Sequence, residues 1–439
     1  MATLFFSITG TRFCVLLTLL CAAPLAWAQV AQPVQPAPAP RSALLERVFS
    51  LWPPGWKTQA PAQPAAPATS TASPTSPTPP ATLKQPTPPS PRASWWTDAG
   101  RILAGEEPDA GSTLGKLARV ASVQNHRRLL SAAWSQFEAS RLKPAMKFAQ
   151  AELTAQPASK AAVFYPFSGP DALYVLAMFP EATAFTLMGL EPVGDLPDMA
   201  KLSNDELGTS LAQLRRSLNS ITALSFFQTN EMRAEFKKNL FPGVTPILVL
   251  FISRHGYDVH DVQKVIIEPD GSLRETDAAT LDTLAPDRVP GVRIRFARKG
   301  ETKIRTLHYF RADISDSGLL KVAQPLKWAA GFAPTATYLK SASYLMHRDQ
   351  FSQVRDFILT KTQMVVQDDS GIPLRFFTQS AWEHTLYGMY DGPIRLFANR
   401  MQADMLAGYA ASAKPLDFGI GYDHRAKTSN IQRFVRKQK

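Results

Sequence analysis

The turn Phe167-Ser168-Gly169-Pro170-Asp171 joins the apolar run 161–167 to a segment with helical character. Loops between a parallel strand and the helix that follows it are where α/β sheets bind ligands. The first turn of such a helix also offers unpaired N–H groups to an anion. Glu191 closes the next strand-like run, at about the interval where dinucleotide folds place the acid that holds a ribose. Gly169, Asp171 and Glu191 are therefore candidate ligand-binding residues. The Gly-x-Gly-x-x-Gly pattern is absent and Pro170 stiffens the turn, so a dinucleotide or adenosyl cofactor is not expected and the cofactor stays unknown. The simplest reading of the same residues is a turn whose Ser168 or Asp171 caps the helix.

Ser168 also stands where a hydrolase elbow carries its nucleophile, and Asp369 (or Asp368) followed by His384 or His424 supplies the serine–acid–histidine order. The catalytic candidates are then Ser168, Asp369, His384 and His424. Pro166 and Pro170 occupy the flanks where Gly-x-Ser-x-Gly needs small residues, and seven histidines in the chain make such coincidences cheap. His255-Gly-Tyr-Asp-Val-His260-Asp261 gathers imidazole and carboxylate, which suit zinc or a related metal. His255 and His260 are the metal candidates, against a solvated turn between two strands. Asp368-Asp-Ser-Gly371 fits a calcium or sugar loop, and fits an ordinary hairpin turn better. Trp382, Tyr387, Tyr390 and Tyr422, with Glu383 and Asp391 nearby, suit a carbohydrate or peptide groove or simple core packing. Tyr422 joins the ligand-binding candidates.

The elements that must position these groups alternate in type. Residues 113–139 and 141–153 show a recurrent apolar helical face. A strand at 161–167, a helix at 171–179 and a strand at 182–190 form a unit that favours a parallel pair. A long helix is expected over 204–224, with more helix within 225–240. Strand-like runs follow at 247–252, 264–268, 292–296 and 303–310, with Asp270-Gly271 and Lys299-Gly300 as turns. A second strand–helix–strand stretch covers 336–340, 349–360 and 364–367, and further helix is expected over 395–410. The expected fold is α/β, a mixed sheet with strand-turn-helix-strand units and a central antiparallel hairpin set. One body spanning 95–430, with two subdomains as the variant, precedes a basic tail at 431–439.

The N-terminus reads as an address. Arg12, the apolar run from Phe13 to Ala23 and the small residues Ala26 and Ala28 describe a secretory leader cleaved after Ala28. Residues 29–94 are rich in Pro, Ala, Thr, Ser and Gln and read as a disordered linker. One amphipathic segment, 42–52, interrupts it with Leu44, Leu45, Val48, Phe49 and Trp52 at helical spacing.

Both cysteines, Cys14 and Cys21, fall within the leader, which excludes a disulfide scaffold and a cysteine-held metal in the remainder. No apolar stretch beyond the leader has the length of a membrane span. The net charge of +12 is partly gathered at Arg425, Lys427, Arg433, Arg436, Lys437 and Lys439. It suits an anionic envelope polymer, a lipid surface or an envelope protein. Export removes the usual nucleic-acid target, so none is expected. The sequence thus describes an exported, periplasmic protein carrying a non-catalytic ligand- or partner-binding domain on a tether. An envelope hydrolase, serine- or metal-dependent, is the alternative.

Overall fold

The structure, a computed structural model, describes residues 91–224, 240–332, 335–422, 424 and 428–438. The leader 1–28, the segment 42–52, the linker up to residue 90 and the helix expected within 225–239 lie outside the described residues. The last residues read as linker open a helix instead: α1 (Pro91–Leu103) starts on a proline, whose missing N–H costs nothing in a first turn.

Ten strands form one mixed sheet, in the order β4-β3-β5-β6-β2-β1-β7-β8-β10-β9. Its centre is parallel: β6 (Arg305–Arg311), β2 (Ala184–Gly189), β1 (Ala162–Tyr165), β7 (Thr335–Leu339) and β8 (Met364–Gln367). The chain runs β1, β2, β6 in one direction and then returns to place β7 on the other side of β1. The strand order therefore reverses between β1 and β7, which makes the sheet doubly wound. The hairpin set, β3 (Tyr257–Ile267), β4 (Leu273–Thr276) and β5 (Val289–Arg298), is central in the chain and extends one edge of the sheet.

Alternation along the strands builds two cores. Val163, Tyr165, Phe185, Leu187, Tyr338 and Val366 face one layer of helices. That layer includes α2 (Ala121–Phe137), α3 (Lys143–Glu152), α4 (Ala172–Met178), α5 (Asn204–Leu224) and α6 (Thr245–Arg254). Phe164, Met188, Leu339, Val365 and Phe434 face the other, with Leu319 of α7 (Asp316–Lys321) and Val354 and Ile358 of α8 (Ser352–Lys361). Both faces are covered, as a parallel sheet requires.

Three expectations are corrected. Residues 247–252 form helix α6, not a strand: every residue from Thr245 to Ser253 is buried, and an all-apolar run has no wet face to betray its period. Residues 257–261 are not a turn but the start of the long strand β3, which carries a bulge between Val259 and Asp261. The segment read as a basic tail is β10 (Asn430–Arg436), seated between β8 and the edge strand β9 (Trp382–Gly388).

The charge of β10 disguises it. Ile431, Gln432 and Phe434 are buried, while Arg433 donates to the Glu152 carbonyl and Arg436 to the carbonyls of Thr362 and Leu359. The Phe434 ring stacks on Phe377 with centroids 3.7 Å apart. Phe434→Ala should therefore cost about 3–5 kcal/mol in urea unfolding, as for a core aromatic. A loss below about 1 kcal/mol would mean that the segment behaves as a tail after all.

Candidate functional site

The carboxyl ends of β1, β2, β7 and β8 meet at the place where the strand order reverses. All four described non-glycine residues with positive φ lie there: Phe167 (60°), Ser341 (53°), Ser343 (54°) and Tyr344 (52°). Such backbone costs of order 1–3 kcal/mol per residue and persists only where its surroundings fix it. Its concentration at one edge of the sheet marks that edge as the candidate site.

At the switch point itself lies a buried ion pair. Lys340, one residue past β7, places Nζ 2.9 Å from Asp171 Oδ2, and both side chains are 2% exposed. Asp171 also accepts from Tyr165 OH (2.9 Å) and, through Oδ1, from the Tyr174 N–H (3.0 Å), which makes it the N-cap of α4. The ammonium of Lys340 stands 4.4 Å from the centre of the Tyr174 ring. The crevice between β1 and β7 is thus filled by the chain's own charged and aromatic groups. Tyr338 adds a buried hydroxyl with no hydrogen-bond partner among the described residues. Its ring lies 4.8 Å from Tyr165.

Glu191 is 2% exposed and accepts from Tyr309 OH at its carbonyl (2.9 Å) and Oε2 (3.2 Å). Gly169 approaches it closely, with φ +52° and a carboxylate oxygen 3.4 Å from where a Cβ would sit. The structure therefore brings Gly169, Asp171 and Glu191 to one edge, as the sequence spacing implies. It also leaves the Glu191 carboxylate occupied by Tyr309 and pressed against the glycine turn, where a ribose would have to enter.

Beyond β8 the turn Asp368-Asp369-Ser370-Gly371 is buried and knotted to its neighbours. Asp368 accepts from the Ser341 N–H (2.8 Å) and the Ser370 N–H (3.0 Å). Asp369 accepts from Tyr344 OH and from Asn430 Nδ2 (3.2 Å). Burial, then the neighbouring Asp368 carboxylate, pushes the Asp369 carboxyl up to about 7. Burial likewise raises Asp368, against hydrogen bonds that favour its charged form. Tyr422 bridges the loop after β7, its hydroxyl donating to the Ser341 carbonyl (2.8 Å) and accepting from the Ser343 N–H (3.1 Å).

The remaining candidates fall elsewhere. The Ser168 hydroxyl faces the carbonyls of Gly169 (2.9 Å) and Met188 (3.1 Å), and no histidine hydrogen bonds to it among the described residues. His384 lies within β9, with its ring against Phe434. Four strand spacings separate β9 from β1, roughly 19 Å at about 4.8 Å each. His424 follows Tyr422 by two residues, and the Asp369 carboxylate accepts from Tyr344 and Asn430, while its backbone faces the ring of His347 rather than His384 or His424. His255 caps α6 and is turned inward to the Leu173 carbonyl (2.8 Å), while His260 sits in the β3 bulge. No group of three or more metal-ligating side chains occurs among the described residues. A small hollow lined in part by Ala162, Thr186, Ala329 and Thr335 lies at the opposite, amino-terminal ends of β1 and β7.

Lys340 escaped sequence reasoning, although a lysine directly following a five-residue buried strand is itself a signal that a carboxylate awaits it. The fold is a doubly wound α/β sheet with a self-filled switch point. No family model matches the chain, and no curated protein or solved structure does so.

Proposed function

We propose that this chain is an exported, tethered domain of the cell envelope that binds a ligand or partner without catalysing a reaction on it. The observation that carries the non-catalytic reading is the Asp171–Lys340 pair: it fills the crevice where a doubly wound sheet would otherwise seat a nucleoside cofactor. A serine hydrolase is less well supported, because the Ser168 proton is held by carbonyls and the candidate histidine on β9 is remote. Export rests on the leader-like residues 12–28 and on the proline-rich stretch after them.

The test adds NAD, NADP or S-adenosylmethionine to the purified chain and follows the thermal midpoint. No concentration-dependent rise is expected. A saturable rise, lost in Asp171→Asn, would restore a cofactor enzyme. For export, fractionation should find a product beginning at Gln29 in the periplasm, and an intact chain confined to the cytosol would refute that part.

A further inference from the structure

Four arginines converge beside the candidate site without a carboxylate to neutralise them. Arg355 of α8 donates from Nη1 to the carbonyls of Met346 (3.0 Å) and Arg348 (3.3 Å). Its guanidinium lies 4.4 Å from the centre of the Phe376 ring, and that of Arg375 lies 4.9 Å from the same ring. The 3-10 turn Arg395–Arg400 is fastened to this place at two points. Phe397 packs on Tyr344 with centroids 4.5 Å apart, and the Gln402 side chain accepts from the Leu374 N–H at 2.9 Å. Arg400, Arg375 and Arg355 thereby all lie near enough to the His347 ring for their charges to act on it, and Arg400 acts likewise on Arg348.

Among the described residues none of the four has a carboxylate within ion-pair distance, and none makes an interaction beyond those just described that would balance its charge. The carboxylates on the same elements, Asp349 and Asp356, are exposed and make no ion pair with them. Asp369 is bound to Tyr344 and Asn430. Among the described residues three buried nitrogens in the cluster lack a hydrogen-bond partner, Arg348 Nε, Arg355 Nε and His347 Nε2, although the His347 ring also meets the Asp369 backbone carbonyl. Arg355 is 7% exposed, so its guanidinium is held in the interior of the cluster. Buried donors of this kind are ordinarily satisfied. Burial, then the charges of Arg400 and Arg375, hold the His347 imidazole down to about 3, so it stays neutral among the cations. Arg375 is exposed and Arg348 and Arg400 are half-buried, which leaves the cluster open to solvent.

We propose that Arg348, Arg355, Arg375 and Arg400 form a binding site for a phosphate group at the carboxyl edge of β7 and β8. Guanidinium forks match phosphate oxygens in pairs, and several converging forks favour a multiply charged tetrahedral anion over a single carboxylate. The phosphate belongs either to a soluble ester or to an anionic lipid headgroup. This names the ligand class of the binding domain proposed above and rests on that reading.

The test is calorimetric titration of the full chain with inorganic phosphate and pyrophosphate, and flotation with vesicles of phosphatidylglycerol against phosphatidylcholine. Saturable binding weakened at least tenfold by Arg400→Gln and by Arg375→Gln, and unchanged by the exposed control Arg119→Gln, is the expected result. Phosphate and pyrophosphate alone would identify a soluble ester, and added retention on the anionic vesicles a headgroup. Both support the site. No binding to any of these probes, or binding that the two arginine variants leave intact, overturns it. Because the arginines do not touch the β1–β7 crevice, that failure is separable from a cofactor-induced thermal shift, which would instead overturn the non-catalytic reading.

Discussion

Lys340→Met should lower the free energy of unfolding by about 3–5 kcal/mol, the usual cost of deleting one partner of a buried pair. The reason is the charge left behind. Asp171 is 2% exposed and would retain only Tyr165 OH and the Tyr174 N–H as partners. Methionine fills much of the lysine's volume, so the loss reports the stranded carboxylate rather than a cavity. Combining it with Asp171→Asn should recover part of the loss, since the amide keeps the capping acceptor and carries no charge. The pair would then show a non-additive coupling in urea unfolding. A single-variant loss under about 1 kcal/mol would mean that water reaches the carboxylate and that the crevice is open.

The second large effect is a steep loss of stability in mild acid. Burial is the first cause holding four histidines low: His126 and His255 to about 4, His308 and His347 to about 3. The geometry of His126 agrees. Arg215 Nη1 donates to its Nδ1 at 2.9 Å, so that nitrogen must carry a lone pair, and Nε2 then donates to the Leu103 carbonyl at 3.0 Å. Unfolded histidines take a proton near pH 6.5. Between that value and about 4 the unfolded chain binds more protons than the native one. Stability is therefore full above pH 6.5 and falls as pH drops, by up to about 1.4 kcal/mol per histidine per pH unit.

Asp369 opposes this trend. Its native carboxyl keeps a proton up to about 7 whereas the unfolded one loses it near 4, so its contribution declines as pH rises. Asp368 and Glu106, also raised by burial, act the same way as Asp369, while His260 and His384, also held low by burial, act with the four; six histidines against three carboxyls leave the histidines in control. Urea midpoints should fall markedly from pH 6.5 to 4. His308→Phe, at a ring stacked beside Phe310 and 5.0 Å from Trp328, should flatten the slope. A midpoint that rises on acidification would refute the assignment.

Much of this arrangement was legible in the residues, for physical reasons. The first βαβ unit declared itself through a change of period, a Ser-Gly-Pro-Asp turn and an acid at the end of the second strand. β7, α8 and β8 did so in the same way. Helix α6 was misread because burial on every side erases periodicity. β10 was misread because Arg433 and Arg436 look solvated until Glu152, Thr362 and Leu359 are seen beside them. The arginine cluster was invisible for another reason. Its members span residues 348 to 400, and the packing of Phe397 on Tyr344 and the bond from Leu374 to Gln402 bring them to one region. The left-handed backbone of Ser341, Ser343 and Tyr344 leaves no compositional trace, since none of these is a glycine.

The placement of the last strand sets the timing of assembly. Among the described residues β9 pairs along its length with β10 and otherwise only through a single bridge from Tyr387 to Lys414, so a growing polypeptide that has reached residue 400 holds a strand whose main partner is still unmade. The sheet closes only after residue 436 has emerged and slid between two segments made earlier. Pairings of this kind bridge distant stretches of chain and form slowly. Until then the β8 margin stays open to other chains. A helper that shields that margin during synthesis or transport would shorten the exposed interval, and its absence would show first as clumping of newly made molecules.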